Sequence, residues 1–334
     1  MQRRELIGSL GSLAAAAVLG TRSGRAQSQS QKPGRVYRLG TFHPVVPITE
    51  SSPFGKVIVK ALAQHGYVLG QNLALDAGSS MGDNSKIPAV LQELKTRHAD
   101  AIIVVGFPAA LAAKSIGVPT VGATGLGDPV ATGLIESQAR PGGNITGISD
   151  VAALLTTKRL SLLKQLAPTL RKVAMIWNKD DLGMTLRYQA SASVAQSIDV
   201  EVQAVGVREP DDFNEAFEVM GREKPDGILM VADALTILNR KRVFEFAASG
   251  KIPAIYEYDF IVRDGGLMSY GPDLTESFER AAALAARIFA GAKPADLPFE
   301  QPTLYPFAIN LKTAKSTGIE IPPTLLALAD QVIE

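Results

Sequence analysis

The chain has 334 residues, 46% of them hydrophobic, with 34 Lys/Arg against 33 Asp/Glu and no cysteine. That length supports two domains with separate cores, and the balanced charge lacks the basic excess that nucleic-acid phosphates require. Missing thiols exclude disulfides, a thiolate nucleophile and a cysteine-ligated metal. With only three histidines, none beside acidic partners at metal spacing, neither a metal site nor a cofactor is expected.

In chain order, Arg3 and Arg4, an apolar run from Leu6 to Gly20, and Gly24-Arg25-Ala26 have the layout of a cleavable export leader. The apolar run of 15 residues falls short of the roughly 20 that a membrane-spanning helix needs, and no later run approaches that length. Residues 1–26 are therefore expected to be removed after Ala26, placing the protein in the periplasm. What remains carries 30 basic and 32 acidic residues, a net charge near −2.

Thereafter short β-branched runs alternate with helical patterns, the signature of βαβ units and parallel sheets. Strands are predicted at Val36 to Phe42, Leu73 to Ala77, Ala101 to Gly106 and Pro119 to Thr124, with helices at Phe54 to His65 and Ile87 to Arg97. The nearly all-apolar run Ala101 to Gly106 suits a strand covered on both faces. A further helix is expected to begin at Asp128-Pro129 and to end at Pro141-Gly-Gly-Asn144, because proline and glycine cannot continue it.

The rhythm then restarts. Helices are predicted at Leu154 to Leu166, Thr185 to Ser197, Asp211 to Glu223 and Leu235 to Ala248. Strands are predicted at Lys172 to Trp177, Glu201 to Val207, Gly227 to Ala232 and Ala254 to Tyr258. After a strand at Gly266 to Gly271 and an Ala-rich helix from Leu274 to Ala290, four prolines between Gly291 and Pro306 favour an extended crossing. A last strand (Phe307 to Asn310) and a short helix after Pro322-Pro323 follow. The expected architecture is α/β: two Rossmann-like lobes with parallel sheets, lobe 1 from 36–147 plus 267–297 and lobe 2 from 148–266 plus 298–334.

In open α/β sheets ligands gather at the carboxyl ends of the strands. That rule selects Phe42, His43, Gly106, Phe107, Thr124 and Asp128 from the first half. From the second it selects Asn178, Asp180, Asp233, Tyr256, Tyr258 and Asp259, and only one of the two tyrosines is expected to face a ligand. Asp128 and Asp233 also suit helix N-caps. His65 and His98 fall at helix ends and are read as solvent-facing.

Five stretches carry a family likeness: Gly127-Asp-Pro-Val-Ala-Thr-Gly-Leu134, Ala139-Arg-Pro-Gly-Gly-Asn-Ile-Thr-Gly147, Gly266-Leu-Met-Ser-Tyr-Gly271, Lys293-Pro-Ala-Asp-Leu-Pro298 and Ile321-Pro-Pro-Thr-Leu-Leu-Ala-Leu-Ala-Asp330. They resemble the substrate-binding proteins of ABC transporters related to bacterial tryptophan- and tyrosine-binding proteins, and with the leader they span nearly the whole chain. The resemblance implies a type I periplasmic binding fold with three crossings, a monomer that captures a small molecule by lobe closure, and an ABC permease in the inner membrane as partner.

Neither a dinucleotide-binding glycine motif, nor a phosphate-binding loop, nor a nucleophile elbow is present, and few histidines remain for a triad. The expected function is binding, not catalysis. A ligand-sensing domain of a signalling or regulatory system, which would use the same two-lobed core, is the alternative. The expected ligand is a small carboxylate such as an amino acid, with an aromatic side chain among the candidates. Its anion would rest on the backbone at Thr124 to Asp128 and its ammonium on Asp233, with Phe42, Phe107 and Tyr256 lining the side-chain region.

Overall fold

The computed structural model describes residues 34–149 and 151–334; the expected leader lies outside them. The first half alternates β1 (Tyr37–His43), α1 (Pro53–Gln64), β2 (Leu73–Ser79), α2 (Ile87–Thr96), β3 (Ala101–Val105), α3 (Phe107–Ile116), β4 (Thr120–Thr124) and β5 (Ile145–Gly147). These strands form a five-stranded, wholly parallel sheet in the order β2-β1-β3-β4-β5. β3 (Ala-Ile-Ile-Val-Val) is apolar throughout because helices cover both faces of the sheet.

The second half runs α4 (Ala152–Leu166), β6 (Lys172–Asn178), α5 (Leu182–Ser197), β7 (Glu201–Val207), α6 (Asp212–Glu223), β8 (Gly227–Met230), α7 (Ala234–Leu238), α8 (Arg240–Gly250), β9 (Ala254–Tyr256), α9 (Asp259–Arg263) and β10 (Met268–Tyr270). Then follow α10 (Leu274–Phe289), β11 (Phe307–Asn310), α11 (Leu311–Thr317), α12 (Pro323–Leu326) and β12 (Gln331–Ile333). The second sheet has seven strands in the order β12-β11-β10-β9-β8-β6-β7, and only the β10–β11 pairing is antiparallel.

The chain passes between the lobes three times. It leaves the first sheet after Gly147 and returns after Tyr270, so that α10 packs on α1, β3 and β4 of the first lobe. It leaves again through 298–306 to enter β11. The crossings are tied together: Ser149 donates its amide to the Glu300 carbonyl at 2.7 Å, and the Asp273 amide donates to the Leu304 carbonyl at 3.0 Å. The Glu276 carboxylate accepts the amides of Thr303 and Leu304.

Two expectations fail in instructive places. No helix spans 128–144. Asp128 does cap, its carboxylate accepting the amides of Val130 and Ala131 at 2.9 and 3.0 Å, but only a turn follows. Gly133, Gly142 and Gly143 all adopt positive φ there, a region that a right-handed helix excludes. The single helix expected over Leu235 to Ala248 is two, α7 and α8, broken at Asn239. Strand β5, helices α3, α9 and α11, and the closing strand β12 were not foreseen.

Candidate functional site

The carboxyl ends of both sheets face each other across a cleft of ≈ 570 Å³, within the size range of small-molecule sites. Five of the twelve residues selected by the strand-end rule line it: His43, Gly106 and Thr124 from the first lobe, Asp233 and Tyr258 from the second.

His43 ends β1. Its Nδ1 accepts the amides of Val45 and Val46 at 3.1 and 3.2 Å, so the proton of the neutral ring sits on Nε2. Burial pushes its pKa down to about 4, and the imidazole is an uncharged donor at neutral pH. Thr124 ends β4, beside the β3 exit, where the amides of Gly106 and Phe107 donate to the carbonyls of Thr124 and Gly125. Gly106 holds φ at 91° to turn the chain directly into α3.

On the opposing wall Asp233 caps α7, in a reciprocal arrangement with Thr236. One of its oxygens accepts the Thr236 amide at 2.9 Å and the other accepts Asn178 Nδ2 at 2.6 Å. Asn178 is oriented for this because its own oxygen accepts the Asp180 amide. Beside Asp233, Asp181 caps α5 and accepts the Met184 amide at 3.2 Å. Burial, and secondly the nearby charge of Asp233, push the Asp181 carboxyl up to about 7; burial likewise raises Asp233, against the hydrogen bonds from Thr236 and Asn178.

Between these polar walls the lining is apolar. Phe54 and Phe278 stack at 4.4 Å from α1 and α10, joined by Val57, Ile87 and Ala109, while Phe260 and Ile237 face them from the second lobe. Arg240 and Arg263 also reach the lining, but each is held by a carboxylate, Asp264 and Asp259 respectively.

The other seven residues lie elsewhere. Phe42, one step before His43, is wholly buried in the core on the α2 and α3 side of the sheet, and Phe107 anchors the start of α3 in that same core. Asp128 is exposed and spent on its own turn. Asn178 stands behind Asp233, and Asp180 is exposed and paired with Arg208 at 3.1 Å. Tyr256 is fully buried against Phe244, ring edge to face at 5.3 Å. Asp259 serves Arg263. The strand ends at Tyr256 and the chain turns before Tyr258, which is why the second tyrosine and not the first reaches the cleft. Missed by the strand-end rule were Phe54, Phe260 and Phe278, all on helices; Asp181, an acidic candidate next to Asp180 in the sequence, is the one of that pair that reaches the lining.

Across the cleft the lobes touch. Thr124 Oγ1 and the Tyr258 hydroxyl are 3.1 Å apart. A Cβ added to Gly127 would lie 2.9 Å from both the Cα and the carbonyl oxygen of Gly183. Beneath the second wall lies a buried ionic cluster. Glu257 accepts Arg187 Nη1 at 2.6 Å, Arg159 Nη1 at 3.2 Å and the Ala232 amide at 3.2 Å. Arg159 Nε donates to the Tyr270 carbonyl at 2.7 Å, beside a crossing.

Residues 54–333 match the family model of ABC transporter substrate binding proteins. A tyrosine-binding protein of Clostridioides difficile (strain R20291) is 27% identical over 267 residues, 79% of this chain and 76% of that protein. The structure of an ABC domain from Streptococcus pneumoniae in complex with L-Trp is 25% identical with a TM-score of 0.79, covering 89% of this chain and 100% of the other. A conserved domain protein of Vibrio cholerae gives a TM-score of 0.82 at 21% identity, over 89% and 100% of the two chains, a likeness of fold.

Proposed function

Since the chain belongs to the ABC transporter substrate binding protein family, a family of solute-binding proteins and not of enzymes, we propose that it is the periplasmic receptor of an importer for an aromatic amino acid. The observation that carries this reading is the polarity of the cleft. Two carboxylates, Asp181 and Asp233, stand on one wall, uncharged donors on the other, and an aromatic, apolar lining lies between. An amino acid has that same order of groups. Its ammonium rests on the Asp181/Asp233 wall. Its carboxylate takes the Thr124 hydroxyl, His43 Nε2–H and the positive end of α3. Its ring lies among Phe54, Phe260 and Phe278, replacing the expected Phe42, Phe107 and Tyr256.

A ligand held by both walls stabilises only the arrangement in which the lobes approach, so capture closes the cleft. The Thr124–Tyr258 and Gly127–Gly183 contacts support that closed form. The closed monomer then docks on its ABC permease. Residues 1–26 serve as the export leader, cut after Ala26. Intact mass of the exported protein checks the cut, and a mature form retaining Arg3 and Arg4 defeats it. Residues 36–147 with 271–297 move as one lobe against 148–270 with 298–334, the boundary expected at 267 shifting because β10 pairs within the second sheet.

Calorimetry of the mature protein against L-Trp, L-Tyr, L-Phe, L-Leu, benzoate and a pentose tests the assignment. Saturable binding of an aromatic amino acid, with weaker or no binding of benzoate, supports it. Selective binding of the sugar, or of a ligand lacking an ammonium, overturns it.

A further inference from the structure

The two cleft carboxylates are not equivalent. Asp233 is served on both oxygens, by the Thr236 amide on one and by the Asn178 side-chain amide on the other, with the Leu235 amide as a further donor. Hydrogen bonds of that kind hold a carboxylate in its charged form. Asp181 is served by the backbone of its own cap, the Met184 and Gly183 amides, has no side-chain donor like Asn178, and is 5% exposed, with the charge of Asp233 as its neighbour. A buried carboxylate beside a half-buried one at one wall disfavours double ionisation. We propose that the cleft with its lobes in contact keeps one proton on Asp181 until a ligand enters, and that an ammonium-bearing ligand expels it to solvent, so that ligand capture releases a proton.

The surroundings leave this pair as the group that titrates. From β1, His43 stays neutral down to about pH 4. From the β9 end, Tyr258 stays protonated, raised by burial. Glu257 behind it is locked between Arg159 and Arg187. From α8 and α9, Arg240 and Arg263 are engaged by Asp264 and Asp259. At the β6–α5 turn Asp180 and Lys179 are exposed, and Asp180 pairs with Arg208. A ligand ammonium is therefore the cation that would balance both carboxylates, and its arrival makes the second ionisation favourable. The burial and repulsion that push Asp181 up to about 7 with the lobes in contact set the window in which the exchange is visible.

The inference rests on the amino-acid reading of the site, and the test separates the two. Calorimetric titration of the full mature protein with L-Trp and L-Tyr is run at pH 6 in buffers of differing ionisation enthalpy, then repeated from pH 5.5 to 8.5. The expected result is release of close to one proton per ligand at pH 6, falling toward zero at pH 8.5. Affinity should drop roughly tenfold per pH unit below pH 7 and be flat above pH 8. In Asp181→Asn the proton release and the pH slope vanish while binding persists at reduced affinity, a split that a merely structural role would not give. Carbon-13 NMR of aspartate carboxyls in the empty protein should show one group titrating near neutrality, absent in Asp181→Asn. Amino-acid binding with no proton release at pH 6, or no near-neutral carboxyl titration, overturns the inference and leaves the site reading intact. Failure of every amino acid and amine to bind overturns both.

Discussion

Substituting Glu257 by glutamine keeps the side chain's shape and removes its charge from the centre of the buried cluster. Arg159, Arg187 and Glu257 are each at most 4% exposed, so neither guanidinium can recover water without local opening. The new amide also points its two donors at guanidinium donors, leaving at most one acceptor for the three bonds that Arg159, Arg187 and the Ala232 amide now make. Breaking a buried ion pair from one side costs on the order of 3–5 kcal/mol, a large share of the ~5–15 kcal/mol that holds a protein folded. At roughly 2–4 °C per kcal/mol, the melting temperature should fall by on the order of 10 °C. Urea unfolding of wild type and Glu257→Gln, followed by tryptophan fluorescence, measures the change. Removing all three charges together, with Arg159→Met, Arg187→Met and Glu257→Leu, should recover most of the loss, since an apolar replacement leaves no charge unpaired. A Glu257→Gln variant within about 1 kcal/mol of wild type would refute the reasoning, for it would mean that the cluster relaxes or hydrates freely.

Asp233→Asn should weaken an amino-acid ligand by about 1.5–3 kcal/mol, typical of a lost charged hydrogen bond, read by calorimetry at pH 8. Gly183→Val should prop the lobes apart, because a Cβ there would already stand 3.0 Å from that of Phe107; small-angle scattering should show a larger radius of gyration and calorimetry a weaker ligand. Burial of neutral His43 costs stability on acidification. Its folded pKa of about 4 lies below the ordinary 6.5, so the unfolded chain takes up a proton between those values that the folded chain refuses, and stability falls as pH drops through that window. In His43→Asn that loss should be absent, as urea midpoints at pH 4.5 and 7 would show. Asp181 acts with the opposite sign: its folded pKa is raised from 3.8 to about 7, so its penalty grows as pH rises between them, and Asp181→Asn should be more stable than wild type at pH 8.

The positions of most strands along the chain were legible because buried parallel strands are apolar runs bounded by glycine, proline and polar residues, as at Ala101 to Gly106. Burial on both faces also hid which side chain of each strand end would turn toward the cleft. Phe42 and His43 are adjacent, and β1 (Tyr-Arg-Leu-Gly-Thr-Phe-His) is buried on both faces from Leu39 to Phe42, so its residue types assign neither to the cleft. The aromatic lining was hidden for another reason. Phe54 and Phe278 lie in the first two turns of α1 and α10, and α10 reaches the first lobe only after the chain has passed through the second. Nothing in a local pattern brings residues 54 and 278 together. The helix expected after Asp128 failed because its capping signal was genuine and its continuation was not.

In the closure proposed above, the meeting of Gly127 and Gly183 limits how far the two halves travel toward each other. Backbone meets backbone there, a stop with no rotamer to yield. Any side chain at either position would therefore end the stroke earlier, by the size of that group. Fluorophores attached to opposite rims would convert that end-point into a signal. A graded series from glycine through alanine to valine at position 183 would then tune a sensor's resting brightness and its affinity together, since a carbon added there stands 3.2 Å from Asp181 Oδ1.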